Sequence, residues 1–207
     1  MDPAQRTGSG AGHPGVELIY NATVDVLRKA GAEVVDGIDI ETEGMGSASY
    51  TVLQYEFKAD LNRYLEESDA PIGSLEEIIR FNEAHSATVM PIFGQERMLK
   101  AQARGSLDDA EYLEALEKSK RLAKTALDST LREHDLDALI APTNSPAWLT
   151  DHINGDSYHV GSSSLAAISG YPNITVPAGF ILTQPVGISF MGAEGSDREM
   201  INIAYAF

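Results

Sequence analysis

The sequence has 207 residues, of which 43% are hydrophobic, and a formal net charge of −16 from 31 acidic and 15 basic side chains. This length allows one sizeable core and favours one domain, with two domains left open, and the absence of cysteine excludes disulfides and thiolate metal sites. The acidic balance argues against binding to nucleic acid or to an anionic membrane surface, because phosphate recognition needs clustered Lys and Arg.

The N-terminal residues are rich in Gly, Ser and Ala and contain no apolar run of the kind found in secretory signals. Residues 1–13 are therefore predicted to be a disordered leader. No window of the sequence approaches the ~18 apolar residues that are needed to span a bilayer. We expect a cytoplasmic protein with no membrane segment.

The first half of the chain is predicted to be mostly helical. A helix should begin at Pro14 and end before Gly31, and a short strand over 32–36 should continue as an extended edge to residue 40. Further helices are predicted over 47–65, after the capping box Ser74-x-x-Glu77, over 95–104, and from Asp108 to about His134.

The second half alternates apolar runs with Pro and Gly, which is typical of short buried strands. The serines before a small helix over 163–168 offer N-cap hydroxyls, and Gly170 should end that helix. A last helix runs to Phe207 without a terminator, which we interpret as a truncation. The predicted fold class is α/β. Helices should flank a mixed sheet built from residues near 32–40, 138–142, 173–178 and 186–191.

A series of motifs in this half points to a known family. DALIAPT begins at Asp137, PAW at Pro146, NGD at Asn154, GSSSLAAISGYPNITVPAGF at Gly161, and PVGISF at Pro185. Their order closely resembles the C-terminal part of amidase signature enzymes, and within them the bacterial amidases related to peptide amidase. Upstream segments over 28–36 and 55–65 extend the likeness. Residues 14–207 are therefore interpreted as a partial amidase signature domain.

The resemblance implies hydrolysis of carboxamide C–N bonds by a serine nucleophile, a second serine and a lysine, without a metal or organic cofactor. This sequence contains no Gly-Gly dipeptide and no Ser-Ser-Gly-Gly segment, and its six lysines fall in segments predicted to be helical. We therefore predict that none of its residues is catalytic. The chain alone should have negligible amidase activity.

Two other kinds of chemistry are considered and disfavoured. Ser163, with His152 or His159, would make a new hydrolase site, but Leu165 stands where a nucleophile elbow needs its second glycine, so helix capping is favoured. His152, Asp156 and His159 are possible metal ligands by type. Their spacing matches no metal signature, so loop hydrogen bonds are favoured and no metal site is predicted.

The long loop after residue 142 is the predicted substrate-binding region, since loops of this length are more often functional than filler. In the resembling enzymes, loops after this strand help to enclose the substrate cleft. The candidate substrate-binding residues are Phe57, Thr143, Asn144, Trp148, Asn154 and Asp156. Trp148 suits an apolar pocket wall. The alternatives, that Trp148 only packs the loop and that Phe57 is ordinary helix-face core, stay open.

The expected partners follow from the partial domain. A small-molecule or peptide amide is the substrate that the resemblance implies. A sheet-centred fold that is cut in half exposes a strand edge and an apolar face to water. We therefore expect a homo-oligomer or a complementing N-terminal half that covers them. The alternative function is a self-associating binding or structural module.

Overall fold

A computed structural model describes residues 12–207, which divide into two compact units. The first unit combines the residues up to Glu43 with Lys120–Phe207, and the second is Gly44–Ser119. Most of the leader predicted over 1–13 lies outside the described residues. Within them, no helix has the length and apolar character that crossing a bilayer requires.

Eight helices and three strands occur in the described part of the chain. The helices are α1 Pro14–Lys29, α2 Met45–Glu67, α3 Leu75–Ala84, α4 Ser86–Val89, α5 Glu96–Gln102, α6 Ala110–Glu133, α7 Ser163–Ser169 and α8 Asp197–Ala206. The strands are β1 Leu139–Pro142, β2 Asn173–Ile181 and β3 Gln184–Met191. The predicted α/β class is confirmed, and short α4 is the one helix that the sequence pattern did not indicate.

The sheet of the first unit is centred on β3. Its strand order is β1-β3-β2, and both pairings are antiparallel. β2 and β3 form a hairpin, with Leu182 in the turn at a φ of 54°. In the register, Ser189 of β3 lies between Ala141 of β1 and Thr175 of β2.

One face of this sheet packs against two helices. Ile188 and Phe190 of β3 are each 1% exposed, and they form a cluster with Tyr20 and Val24 of α1 and Met200 of α8. Because side chains alternate along a strand, β3 presents Ile188 and Phe190 to this core while Ser189 points to the opposite face.

The strand predicted over 32–40 is wrong. These residues are extended but belong to no strand, because no other described strand lies beside them to complete a ladder. Gly37 also interrupts the run with a φ of 77°. The solvent exposure of these residues nevertheless alternates as the sequence pattern indicated. Val34, Ile38 and Ile40 are half-buried while their neighbours are exposed.

Two helix starts differ in their capping. α1 is capped by His13, whose Nδ1 accepts hydrogen bonds from the backbone N–H groups of Gly15 and Val16. The predicted hydroxyl cap of α7 is wrong, because Ser162 occupies the N-cap position without a side-chain bond to the helix. Gly170 ends α7 in the left-handed conformation, as the sequence indicated.

The second unit is a helical assembly. Leu75 and Ile79 of α3 and Ala101 of α5 form its buried cluster. Ser74 caps α3 by accepting a hydrogen bond from the N–H of Glu77 at 3.2 Å, which confirms the serine half of the predicted capping box. The Glu77 carboxylate accepts from the N–H of Gly73 at 2.7 Å, one residue before the position that a full capping box uses. Lys58 donates to the backbone carbonyl oxygens of residues 102 and 104, so its ammonium group stabilises the end of α5.

We predict that Phe190→Ala destabilises the first unit by about 3–5 kcal/mol, because it removes a fully buried ring from the centre of the core. Urea unfolding followed by the fluorescence of Trp148, the chain's single tryptophan, measures this change. Phe180→Ala is the matched control, since the Phe180 side chain is 69% exposed on β2. Its effect should stay within about 0.5 kcal/mol, and equal losses for both variants would contradict the described core.

Candidate functional site

A row of three hydroxyl groups crosses the sheet on the face opposite the core. Ser189 is fully buried, with 0% exposure. Its Oγ lies 2.9 Å from Thr143 Oγ1 and 3.0 Å from Thr175 Oγ1. Three hydroxyl protons serve only two hydrogen bonds, so one O–H of the row remains available to a further acceptor. Thr143 is half-buried and Thr175 is exposed, so the row opens to the surface.

Gly187 makes room for this hydroxyl row. A Cβ atom at position 187 would lie 2.8 Å from Thr175 Cγ2 and 2.9 Å from Thr143 Oγ1. These distances are shorter than carbon atoms tolerate, so any larger residue at this position would push both threonines apart. The close approach explains why the motif over 185–190 has a glycine in the middle of a strand.

The loop that follows β1, residues 143–162, is closed at its base by backbone pairing. Thr143 accepts a hydrogen bond from Ser162 N at 3.3 Å, and Ser145 N donates to Val160 O at 2.9 Å. An isolated bridge between Asn144 and Gly161 lies between these two bonds. The two ends of the loop therefore run side by side, and the remaining residues project from this base as a compact surface loop.

Ser145 fixes the base of this loop through its side chain. Its Oγ accepts hydrogen bonds from His159 N at 2.8 Å and Val160 N at 3.0 Å, and the residue is 9% exposed. The sequence analysis did not select Ser145. Its role depends on two backbone amides that lie 14 and 15 residues further along the chain. The local sequence, one serine before a proline, gives no sign of these distant hydrogen bonds.

Trp148 packs within the loop through both its ring and its nitrogen. Its Nε1 donates to Asp156 Oδ1 at 3.2 Å, and its indole meets the Tyr158 ring edge-on with centroids 6.4 Å apart. Trp148 as a whole residue remains 38% exposed. The structure thus brings the predicted residues Trp148 and Asp156 together and adds Tyr158, which the sequence analysis did not select.

Asn154 and Asn144 make local contacts. The Asn154 side chain donates to Asp151 Oδ2 at 2.7 Å, and the Asp151 carboxylate also accepts from the N–H groups of Ile153 and Asn154. Asn144 Oδ1 accepts from Ser145 N at 2.8 Å. Asn154 therefore stabilises the turn at the tip of the loop, while Asn144 and Thr143 lie at its base.

The remaining candidates are placed as follows. Phe57 lies on α2 in the second unit and is 39% exposed. His159 has its Nε2 3.1 Å from Ser157 Oγ, and its ring contacts that of His13. Ser163 is exposed at the start of α7. No group of three or more His, Cys, Asp or Glu side chains that could hold a metal ion occurs among residues 12–207.

Comparison with known proteins identifies the family. The family model described as amidase matches residues 6–201, which is almost the whole chain. This chain belongs to the amidase family. The resemblance expected from the motifs over 137–190 is therefore confirmed.

Solved amidases share this part of the fold. Peptide amidase in complex with chymostatin is 41% identical with a TM-score of 0.84 over 94% of this chain, and native peptide amidase from Stenotrophomonas maltophilia is 40% identical with a TM-score of 0.80 over 91%. An Arabidopsis thaliana protein described as a probable amidase is 34% identical over 93% of this chain. The chain spans only 40%, 38% and 37%, respectively, of these relatives' lengths.

We predict that Ser145→Ala opens the base of the 143–162 loop, because it leaves two amide donors without their acceptor, one of them on the buried residue Val160. The loss should be about 1–3 kcal/mol, measured by urea unfolding, with faster proteolysis within the loop. Ser157→Ala is the control, since Ser157 is exposed and its hydroxyl lies 3.1 Å from the His159 ring nitrogen. Unchanged proteolysis of Ser145→Ala would show that other contacts close the loop.

The turn at the tip of the loop should respond to acid. Hydrogen bonds from the Asn154 N–H, the Asn154 side chain and the Ile153 N–H lower the pKa of Asp151. A lowered folded-state pKa means that the stabilisation is complete above the ordinary Asp pKa of about 3.9 and is lost as the pH falls through the lower folded-state value.

We expect the NMR amide resonance of Asn154 to stay constant above pH ~4 and to move only below it. Asp151→Asn should remove this transition, because the amide does not titrate in that range. A transition of the Asn154 amide centred above pH ~5 would contradict the assignment.

Proposed function

We propose that this chain forms part of the substrate cleft of an amidase that hydrolyses carboxamide C–N bonds. The nucleophilic serine, the second serine and the lysine would come from polypeptide outside these 207 residues. The observation that carries the proposal is the 41% identity and TM-score of 0.84 to peptide amidase, over a stretch that spans 40% of that protein. The absence of Gly-Gly and Ser-Ser-Gly-Gly segments from this sequence also supports placing the nucleophilic serine outside these 207 residues.

In the proposed reaction, the serine hydroxyl oxygen attacks the amide carbonyl carbon, and its proton passes through the second serine and the lysine to the leaving nitrogen. The C–N bond breaks, ammonia or an amine departs, and the acyl group remains on the serine as an ester. A water molecule then hydrolyses this ester to a carboxylic acid. No metal or organic cofactor enters these steps.

This chain's contribution would be to bind and orient the amide. Trp148 offers a partly exposed apolar surface held in place by Asp156, and Thr143 offers a hydroxyl at one end of the hydroxyl row. An aromatic wall with a few fixed polar groups is the usual composition of a small-molecule site. Asn144 lies beside Thr143 at the loop base, and Phe57 stays a candidate on the second unit.

The second candidate function is a self-associating module, and exposed apolar residues favour it. Leu182 and Tyr205 are each more than 90% exposed in the first unit, as are Leu149 and Ile153 in the loop. Large exposed apolar groups favour association where they form a contiguous patch. Sedimentation that shows only a compact monomer at micromolar concentration would count against this alternative. Cytoplasmic residence and homo-oligomer formation stay predictions.

Complementation tests the amidase proposal. The partner is the N-terminal segment of the Stenotrophomonas maltophilia peptide amidase that precedes the region matched by this chain, hereafter the N-terminal segment. Neither piece alone should release ammonia from an amidated dipeptide, and the mixture should do so. Trp148→Ala in the mixture should raise KM about 10-fold with kcat little changed, because a cleft wall binds ground state and transition state alike.

Leu149→Ala is the matched control, since Leu149 is on the same loop and is 91% exposed. Its KM should equal that of the unsubstituted mixture. Equal KM values for the Trp148 and Leu149 variants would show that the indole only packs the loop. Ammonia release by this chain alone, abolished by Ser163→Ala, would overturn the proposal that its nucleophile lies elsewhere.

A further inference from the structure

Trp148 and Tyr158 form an aromatic pair on the 143–162 loop of the first unit. Their ring planes lie at 72° to each other, with the centroids 6.4 Å apart. Both residues reach the surface, since Trp148 is 38% exposed and Tyr158 is 49% exposed. Two contacting rings that are both partly exposed present their π-systems to the same patch of surface. The aromatic pair is therefore accessible to a ligand.

Neighbouring contacts hold both rings in place. The Trp148 Nε1 donates a hydrogen bond to Asp156 Oδ1 at 3.2 Å. The Tyr158 phenol lies against Gly161 at the loop base, where an added Cβ atom would come within 3.2 Å of Tyr158 Cζ and closer still to the hydroxyl oxygen. Because the rings are already positioned, a ligand that binds them loses little free energy to the ordering of side chains.

The carboxylate of Asp156 has capacity left for a ligand. A carboxylate offers two oxygens with about four lone-pair positions, and within the described chain its one hydrogen-bond donor is Trp148. No ion pair between residues 12–207 involves Asp156. Asp151, the other acid of the loop, differs because both of its oxygens already accept hydrogen bonds from residues 153 and 154.

The charges around the aromatic pair favour a cation. The 143–162 loop contains two aspartates and no lysine or arginine, so it supplies no lysine or arginine partner for Asp156. The whole chain has a net charge of −16, which attracts cationic ligands. An aromatic ring also attracts a cation, because its quadrupole is negative above the ring plane. A carboxylate beside two rings therefore binds a positively charged group better than a neutral one.

We propose that Trp148, Tyr158 and Asp156 bind a cationic side chain of the amide substrate, with arginine preferred. The inference rests on the proposed function, because its ligand is the amide that the complete enzyme would hydrolyse. A guanidinium group is planar, so it can stack on the indole while an N–H at its edge donates to Asp156 Oδ2. A lysine ammonium is a compact point charge, which makes the contact with the carboxylate without the stacking.

An uncharged side chain is the competing ligand. The two rings would bind it through the burial of apolar surface, and Asp156 would then serve only to hold Trp148. The two kinds of ligand differ in one respect, since only a cation gains from the charge of the carboxylate. Arginine and citrulline separate them, because citrulline has nearly the shape of arginine and carries no charge.

Binding of N-acetyl-arginine amide and N-acetyl-citrulline amide to this chain tests the proposal. Trp148 is the chain's single tryptophan, so its fluorescence reports binding at the aromatic pair. The arginine amide should bind about 5-fold more tightly, because exposed cation–π contacts and exposed ion pairs are each weak. Sodium chloride at ~0.5 M should remove most of the difference. Equal affinities for the two amides at low salt would overturn the proposal.

Asp156→Asn separates a contact with this carboxylate from the general attraction of an acidic protein. The asparagine oxygen can still accept from Trp148 Nε1, so the affinity for the arginine amide should fall to that for the citrulline amide. Asp25→Asn is the matched control, an equal charge change on an exposed residue of α1, about three helical turns from His13, which contacts the loop. Equal effects of the two variants would contradict the role of Asp156. The pair of ligands on the unsubstituted chain keeps the test valid if Asp156→Asn fails to fold.

The mixture with the N-terminal segment separates this proposal from the proposed function. Its substrates are amidated dipeptides of alanine with arginine or citrulline, in both orders. In at least one order, kcat/KM should be about 5-fold higher for arginine. Ammonia release with no such preference in either order would overturn the cationic site and leave the amidase proposal standing. Tighter binding of the arginine amide without ammonia release from any dipeptide would support the cationic site and contradict the amidase proposal.

Discussion

The antiparallel pairing of β3 with both neighbours is the interaction on which the first unit depends. Its two backbone edges hold β1 and β2, its apolar face joins α1 and α8 into one core, and its polar face places Ser189 between Thr143 and Thr175. Because a strand alternates its side chains, the core and the hydroxyl row are set by the same register. A one-residue slip of β3 would bury Ser189 in the core and remove the row.

The same pairing positions the loop that carries the candidate binding residues. Thr143 is bonded to β3 through its backbone and its hydroxyl, so the loop base begins directly on the central strand of the sheet. Ser145 then ties the returning chain to this base, and Trp148 is fixed further out by Asp156 and Tyr158. A preorganised loop of this kind binds a ligand with little loss of conformational entropy.

The sequence predicted the elements whose signals are local. The apolar runs between Pro and Gly gave β1, β2 and β3, and the Ser74 capping box gave the start of α3. The prediction of a strand over 32–40 was wrong because a strand needs a neighbouring strand to pair with. The alternation of side chains in the sequence does not show whether that neighbour is present. Ser145 and Tyr158 were missed since their partners lie far along the chain or depend on how the loop folds back. The motifs over 137–190 nevertheless identified the amidase family.

The central claim is that this chain helps to bind and orient the amide while another segment carries the nucleophile. Mass spectrometry of the mixture with the N-terminal segment, quenched during turnover of an acyl donor, tests it most directly. The account predicts an acyl adduct on a serine of the N-terminal segment and an unmodified mass for this chain. An adduct on a serine of this chain, abolished by replacing that serine with alanine, would contradict it.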